Sequence, residues 1–552
     1  MLRFYKTQEA LIILVGCWIA LFSNSGFWRV IADNAPPGIL PGLSYFSAFL
    51  CLTIGLISLV LLLLVFGRPT RILLGVALVV AAGTSYFTAR YGVLFDTGML
   101  TNILETNREE ASELLTVPLV MFIALAGLLP ALAIWAYPLE QRRFVAATTH
   151  RGVALVVALA LIVTPLIMSQ KEIFSVAREN QQLRHMIAPL NIIAATYSTI
   201  EDQLASPPEF HSVALDARHV PATEQDGKPL VHVLIIGETA RASSFGLDGY
   251  TVNTDPELGQ RNDVQFFEMR ACGTATAVSL PCMFSVQEHD GFDRSASKNE
   301  DNLLDVAKRS GYDVIWIDNG NGCKGVCARV ESRDVHTLSA ENICPHNDCY
   351  DEILVEELRR TLDTVTGDTL IVLHELGSHG PAYFRRYPES FRLFQPDCQS
   401  ANFTDCSQQQ IVNAYDNTIA YTDHVIASAI STLSAHTDEF DLSLVFVSDH
   451  GESLGEHGLY LHGMPYKLAP AEQTTVPMIV WLGSSSSYGD FPGSSCAADK
   501  HRASLSHDNL FHTELGLLGI STSAYKPELD ILSACRAGSL TAATVRLNGT
   551  TL

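Results

Sequence analysis

The chain has no pair of cysteines in Cys-x2-Cys spacing, so the structural zinc sites built on that spacing are disfavoured although twelve cysteines are present. It is short of positive charge, with 36 Lys and Arg against 59 Asp and Glu, a formal net charge of −23 over 552 residues. That balance argues against general nucleic-acid binding, which needs a basic face. An anionic substrate would need local compensation from a metal or from Lys and Arg. No internal repeat is visible.

What is present divides unevenly. Residues 1–170 hold ten Lys and Arg against eight Asp and Glu, leaving 26 against 51 for the remainder. The mean hydropathy of +0.18 is high for a soluble protein. A membrane-like part therefore precedes an acidic soluble part.

Five apolar runs, 10–27, 43–66, 72–87, 117–137 and 153–168, approach the roughly 20 residues that cross a bilayer as a helix, the third and fifth near the lower limit. The first is not a cleaved signal ahead of a soluble chain, because four more follow. Arg3, Lys6, Arg68, Arg71, Arg142, Arg143 and Arg151 flank one side, against Arg29, Arg90 and Arg108 on the other. The positive-inside rule then puts the N-terminus in the cytoplasm. An odd number of spans delivers everything after residue 170 to the opposite face, the periplasm in a bacterial cell.

Cysteine usage points the same way. Cys17 and Cys51 lie in apolar runs, whereas Cys272, Cys282, Cys323, Cys327, Cys344, Cys349, Cys398, Cys406, Cys496 and Cys535 all fall in the acidic part. An even number with close spacings (323/327, 344/349, 398/406) fits disulfides in an oxidising compartment.

The organisation predicted is a five-helix membrane domain over 1–170, an interfacial amphipathic connector over 171–214 and a soluble domain over 215–552. The loop 92–115, with Asp96, Glu105, Glu109 and Glu110, is too polar to span and is expected at the outer interface. In 170–200, Ile173, Phe174, Val176, Leu183, Met186 and Ile187 alternate with Arg178, Glu179, Arg184 and His185, as in a helix lying on a membrane surface or in an ordinary solvated linker helix. Ser206-Pro-Pro208 and the polar run 221–229 mark the passage into the soluble domain.

From residue 230 the pattern changes. Short β-branched runs at 230–236, 312–317, 369–373, 442–447 and 477–482 read as strands buried on both faces, with helical stretches at 302–310, 350–364 and 411–433 between them. Alternation of this kind predicts an α/β domain with a mostly parallel sheet, its site beyond the strand C-termini.

Three stretches supply chemistry there. Gly237-Glu-Thr-Ala-Arg241 ends the first strand and Ser448-Asp-His-Gly-Glu-Ser-Leu-Gly-Glu-His457 ends the fourth, so Glu238, Asp449 and His450 should meet in one crevice. Two carboxylates and an imidazole make three zinc ligands, and Thr276 can take the fourth place. Coordination would make that hydroxyl useful, since Zn²⁺ lowers the pKa of bound water by roughly 8 to 9 units. Thr276 lies in Ala271–Ser285, a segment bracketed by Cys272 and Cys282 whose glycine and hydroxyl residues suit a turn into a helix N-terminus, a place for phosphate. A disulfide-closed surface turn, and a helix cap for Glu238, are the plainer alternatives.

Gly237-Glu-Thr-Ala-Arg241, Cys272-Gly-Thr-Ala-Thr-Ala-Val-Ser-Leu-Pro-Cys-Met283, His379-Gly-Pro-Ala-Tyr-Phe384 and Ser448-Asp-His-Gly-Glu-Ser-Leu-Gly455 closely resemble the lipid A phosphoethanolamine transferases, the group that includes the mobile colistin-resistance enzymes. The resemblance covers nearly the whole chain. It implies a catalytic domain of alkaline phosphatase and sulfatase type at the inner membrane, facing the periplasm, in a monomer. By motif, Glu238, Thr276, Asp449 and His450 correspond to the zinc ligands and Thr276 to the nucleophile. His379 and His462 correspond to positions that bind substrate or a second zinc. Lys324 corresponds to a lysine near the donor phosphate, although its position between Cys323 and Cys327 is not expected in every member.

The activity so implied is transfer of phosphoethanolamine from phosphatidylethanolamine to a lipid A phosphate, through a phospho-threonine, with one zinc ion or two. The same fold also serves other acceptors, such as core oligosaccharide or another glycan, and phosphoglycerol transfer. A sulfatase is disfavoured because the nucleophile segment lacks the Cys/Ser-x-Pro-x-Arg pattern. A catalytically dead binding or sensor protein would be expected to have lost a ligand, and all four are present.

Overall fold

The computed structural model describes residues 6–106, 108–140, 144–204, 209–220, 227–320, 322–337, 343–344, 349–483 and 504–535. Arg3, Arg142, Arg143, Cys496, Ser206-Pro-Pro208 and most of the polar run 221–229 lie outside the described residues. The chain forms two compact units. One comprises Met1–Leu104, Leu114–Leu204 and His457–Tyr460; the other comprises Glu105–Glu113, Ala205–Glu456 and Leu461–Leu552.

In the first unit, Ile39–Leu64, Thr70–Tyr91, Val117–Ala136 and Thr148–Met168 are each long and apolar enough to span a membrane. The first predicted span is instead a pair of helices, Gln8–Phe22 and Ser25–Asp33, bent by 60°, which makes five spans when the pair counts as one. A break in an apolar environment leaves backbone groups that need partners. Asn24 supplies them: its amide nitrogen donates to the carbonyls of Ile19 (2.9 Å) and Ala188 (3.2 Å), and its oxygen accepts from the Ala188 N–H (2.8 Å). Val117–Ala136 carries a π-turn at Ile123–Leu128, whose Ala126 carbonyl accepts from the Trp18 indole at 3.0 Å.

The connector is two helices, Gln170–Glu179 and Leu190–Leu204, with a 3₁₀ turn at Gln181–His185. Pro189, which has no N–H to donate, stands just before the second helix. The polar loop 92–115 likewise contains two short helices, Thr97–Glu105 and Arg108–Leu114.

The second unit is built on an eight-stranded sheet. Its strands in chain order are β1 Leu230–Gly237, β2 Val264–Arg270, β3 Asp313–Asp318, β4 Glu331–Asp334, β5 Thr369–His374, β6 Asp441–Ser448, β7 Thr475–Leu482 and β8 Leu505–Ser506. Across the sheet they run β8-β2-β7-β6-β1-β5-β3-β4. Only β7 opposes its neighbours; the β6-β1-β5-β3-β4 block is parallel. All residues of β1, β5 and β6 are buried, as their largely apolar patterns predict.

The three strands that the apolar runs did not reveal lie toward the sheet edges. In β2 the burial alternates over its second half, and β4 reads Glu-Ser-Arg-Asp. Helices cover the sheet. Leu303–Arg309 and Gln408–Ser434 each begin with a capping box, from Asn302 with Asp305 and from Ser407 with Gln410. Register then assembles the crevice: Gly237 pairs with Ser448, and Ile236 with His374, so the chain leaves β1, β6 and β5 side by side.

Candidate active site

Glu238 leaves the end of β1, and Asp449-His450 leaves the end of β6. Thr276 begins the helix Thr276–Met283, with Ala275 as its extended N-cap residue. The Thr276 hydroxyl donates to Glu238 Oε2 at 2.8 Å and lies 3.3 Å from His450 Nε2. His450 Nε2 is in turn 3.3 Å from Glu238 Oε1 and 3.4 Å from Asp449 Oδ2. The four residues predicted to share one crevice do share it, and all are buried.

The electrostatics call for a cation. Burial pushes the Glu238 carboxyl up, but the charge and hydrogen bond of His450, followed by the charges of His379 and His462, outweigh it and hold the group well below the usual carboxylate range. Burial, reinforced by Glu238, raises Asp449 to about 6. Burial opposes charge on His450, yet Asp449 and Glu238 lift it to about 10. The cluster therefore holds one positive charge on the imidazole, and a divalent cation could replace that proton.

The donor set fits such an ion. One ligand atom from each of Glu238, Asp449 and His450 lies within 4.8 Å of the others. Among the described residues buried Asp449 Oδ2 has no hydrogen-bond partner, while Oδ1 accepts from the Thr239 N–H (3.2 Å) and the His450 N–H (2.7 Å). His450 Nδ1 lies 3.0 Å from the Gly451 carbonyl, a contact that places the Nδ1 proton there and leaves Nε2 for a metal. Carboxylate oxygen and imidazole nitrogen are ligands that zinc accepts.

His462 and His379 stand beside this cluster. The His462 ring centroid is 4.4 Å from that of His450 and 5.5 Å from that of His379. His462 Nδ1 is 3.5 Å from the carboxylate of Glu452, which is fully buried. Lys324 is placed differently. Its backbone is left-handed (φ +49°), and it lines a small cavity with Pro281, Ser285, Lys298 and Glu300, toward the far end of the helix that Thr276 begins.

Disulfides join Cys272 to Cys282, Cys323 to Cys327, Cys344 to Cys349 and Cys398 to Cys406; Cys535 is also disulfide-bonded, and Cys17 and Cys51 are free. The first closes the segment around Thr276. Gly273 is required inside it, because a Cβ there would stand 2.8 Å from the Ser279 nitrogen.

Several supporting residues carried no signal in the sequence. His507 Nδ1 accepts from the Cys272 N–H (3.1 Å) and its Nε2 donates to the Ser448 carbonyl (3.0 Å), so one imidazole joins the nucleophile segment to the end of β6. That arrangement needs a neutral ring, and burial lowers its pKa to about 3. Ser279 donates to the Asp449 carbonyl at 2.5 Å. Thr239 adopts φ +62°, its hydroxyl donates to Glu238 Oε1 (2.5 Å), and Tyr415 donates to its carbonyl (2.7 Å). Gly377, at φ +54°, passes so near Glu238 that a Cβ would lie 2.6 Å from its carbonyl oxygen. His507, Tyr415 and Gly377 come from distant parts of the chain, so no local motif announces them, whereas Thr239 and Ser279 lie inside the motifs and only the fold shows what they bond.

Comparison with known proteins agrees with this geometry. The Sulfatase family profile matches residues 231–520, and that of Phosphoethanolamine transferase EptA/EptB matches 53–204. The chain is 36% identical over 533 residues to phosphoethanolamine transferase EptA of Salmonella typhimurium, covering 96% of this chain and 97% of that protein. It is 38% identical over 465 residues to phosphatidylethanolamine transferase Mcr-1 of Escherichia coli, covering 82% and 84%. The structure of lipooligosaccharide phosphoethanolamine transferase A from Neisseria meningitidis superimposes with a TM-score of 0.91 at 33% identity, over 96% of this chain and 99% of that one. Apolar helices followed by a sulfatase-like domain, with relatives of this identity along nearly their whole length, establish that the chain belongs to the phosphoethanolamine transferase family.

Proposed function

We propose that the protein transfers phosphoethanolamine from phosphatidylethanolamine to a phosphate of lipid A, in two displacements at Thr276, with its catalytic unit on the periplasmic side of the inner membrane. The observation that carries the reading is the Thr276 hydroxyl, at a helix start and within hydrogen-bond reach of both Glu238 and His450. Glu238, Thr276, Asp449 and His450 would hold a zinc ion. Such an ion supplies positive charge that lowers the pKa of the hydroxyl and offsets the charge of phosphate.

The Thr276 oxygen attacks the donor phosphorus, and the bond from phosphorus to the diacylglycerol oxygen breaks. Diacylglycerol departs with a proton, leaving phosphoethanolamine on the threonine. An oxygen of the acceptor phosphate then attacks the same phosphorus and frees Thr276, which regains its proton. His379 and His462, set beside the cluster, are placed to bring and remove these protons or to hold a second ion. Lys324, if its loop approaches the site, adds positive charge for the donor phosphate. The transferred amine lowers the negative charge of lipid A, and cationic peptides of polymyxin type then bind it less well.

Mass spectrometry of lipid A and core oligosaccharide from cells expressing the wild type or Thr276→Ala tests the reading. Phosphoethanolamine on lipid A with the wild type, falling by at least about 10³-fold in the variant, is expected. Wild-type labelling by Thr276→Ala sinks the nucleophile assignment, and labelling confined to core sugar moves the acceptor.

A further inference from the structure

Two of the arginines that grip a carboxylate and a backbone carbonyl at once do so beside the site. Arg386 donates from Nη2 to Glu113 Oε2 (2.6 Å) and from Nε to the carbonyl of His379 (2.8 Å). Both side chains of this ion pair are almost wholly buried, at 4% and 3% exposed. Arg294 pairs through Nη2 with Glu105 Oε1 and donates from Nε to the carbonyl of Ala277 (2.6 Å), the residue after Thr276. Glu105 and Glu113 bound the segment Glu105–Glu113, which belongs to the catalytic unit although in sequence it lies between the apolar helices Thr70–Tyr91 and Val117–Ala136.

The guanidinium is planar and rigid, so a carboxylate that fixes one edge also fixes the direction of the Nε–H. Each glutamate thereby aims a hydrogen bond at the main chain of a site residue or its neighbour. A buried ion pair adds little net stability over apolar packing. The buried pair beside His379 and the partly exposed pair beside the turn of Thr276, with side chains 23% and 28% exposed, therefore call for another role.

We propose that Glu105 and Glu113 are positioning residues of the transferase, acting through Arg294 and Arg386 to hold the Thr276 turn and the His379 carbonyl in register for phosphoryl transfer. This rests on the transfer reading above. The segment that connects two apolar helices in sequence thus helps to set the geometry of the site.

The test uses the full chain in lipid nanodiscs containing phosphatidylethanolamine and lipid A. It measures kcat and KM for transfer, phospho-threonine formation by intact mass, zinc content and Tm. Arg386→Lys and Arg294→Lys keep the charge and the ion pair but lose the two-edged fork; Glu113→Gln and Glu105→Gln remove the charge. The lysine variants are expected to lose about tenfold or more in kcat, with KM within about twofold and with wild-type zinc content and Tm. The glutamine variants are expected to lose kcat in the same way.

Lysine variants with wild-type kcat overturn the proposal, as do losses that only track zinc or folded fraction. If a glutamine variant does not fold, the lysine pair decides. Wild type and Thr276→Ala run alongside: no transfer by the wild type sinks the transfer reading itself, full transfer by Thr276→Ala sinks the nucleophile assignment, and an inactive Thr276→Ala beside unimpaired lysine variants sinks only the clamp.

Discussion

Two buried clusters in the catalytic unit each combine a hydroxyl, an imidazole and a carboxylate around strands β1 and β6. At the strand ends stand Glu238, Asp449 and His450, met by Thr276 from the start of its helix. In mid-sheet, His232 of β1 faces Ser443 of β6, with Nδ1 2.7 Å from the hydroxyl and Nε2 2.8 Å from Glu514 Oε2. By composition the second group looks like a nucleophile, a base and an orienting acid. Yet His232 and Glu514 are fully buried, and His232 shares a sheet face with Leu230 and Leu234 of the hydrophobic core.

The difference teaches what makes a site. In mid-sheet one carboxylate meets one imidazole at ion-pair distance, although Glu514 Oε1 makes no hydrogen bond among the described residues. At the strand ends two carboxylates stand around one imidazole, which leaves excess negative charge for a cation to offset, and Asp449 Oδ2 likewise makes no hydrogen bond among the described residues. Strand ends allow this because the chain turns away there and leaves room; mid-strand positions are closed by their neighbours.

Exchanging the fates of the two clusters would break the comparison. Asp449→Asn should remove bound zinc and transfer activity together, by more than the roughly 10- to 100-fold typical of a second-layer partner. Elemental analysis with a transfer assay checks this, and an active zinc-free variant would contradict it. Glu514→Gln leaves His232 without its buried carboxylate partner and should cost about 3 to 5 kcal/mol of stability in a denaturant titration. Its activity per folded molecule should stay unchanged.

The sign of a pH effect sharpens the contrast. Without metal, His450 is protonated up to about pH 10, and it must lose that proton to bind an ion. Between about pH 6, where Asp449 ionises, and about pH 10, zinc affinity should rise about tenfold per pH unit. Chelator competition at several pH values reads the slope, and a flat profile would remove His450 as a ligand. Ser443→Ala, the counterpart of Thr276→Ala, should cost only about 1 kcal/mol of stability and leave turnover intact.

The sequence announced the first cluster and not the second because local context differs. Asp449-His450 sits where an apolar run stops, and Glu238 likewise, so each motif marks its own strand end. His232 and Ser443 interrupt apolar runs singly, and only the register of β1 on β6 makes them neighbours. His507 was silent for the same reason: its partners, Cys272 and Ser448, are 235 and 59 residues away. The first apolar run showed its length but not its 60° bend, because the amide that completes the break reaches Ala188 from the connector. The edge strands β4 and β8 were too short and polar for periodicity to reveal.

Hydrophobic runs and their charged flanks, being local, were enough to determine a membrane part, an α/β part, the central strands and the residues at their ends. Long-range contacts decided the rest. Packing selected the hydrogen bonds around Thr276, set Lys324 in a cavity toward the other end of the nucleophile helix, and joined Glu105 and Glu113 to arginines far along the chain. Strand periodicity is written in neighbouring residues, whereas the aim of a side chain depends on whatever the fold brings against it.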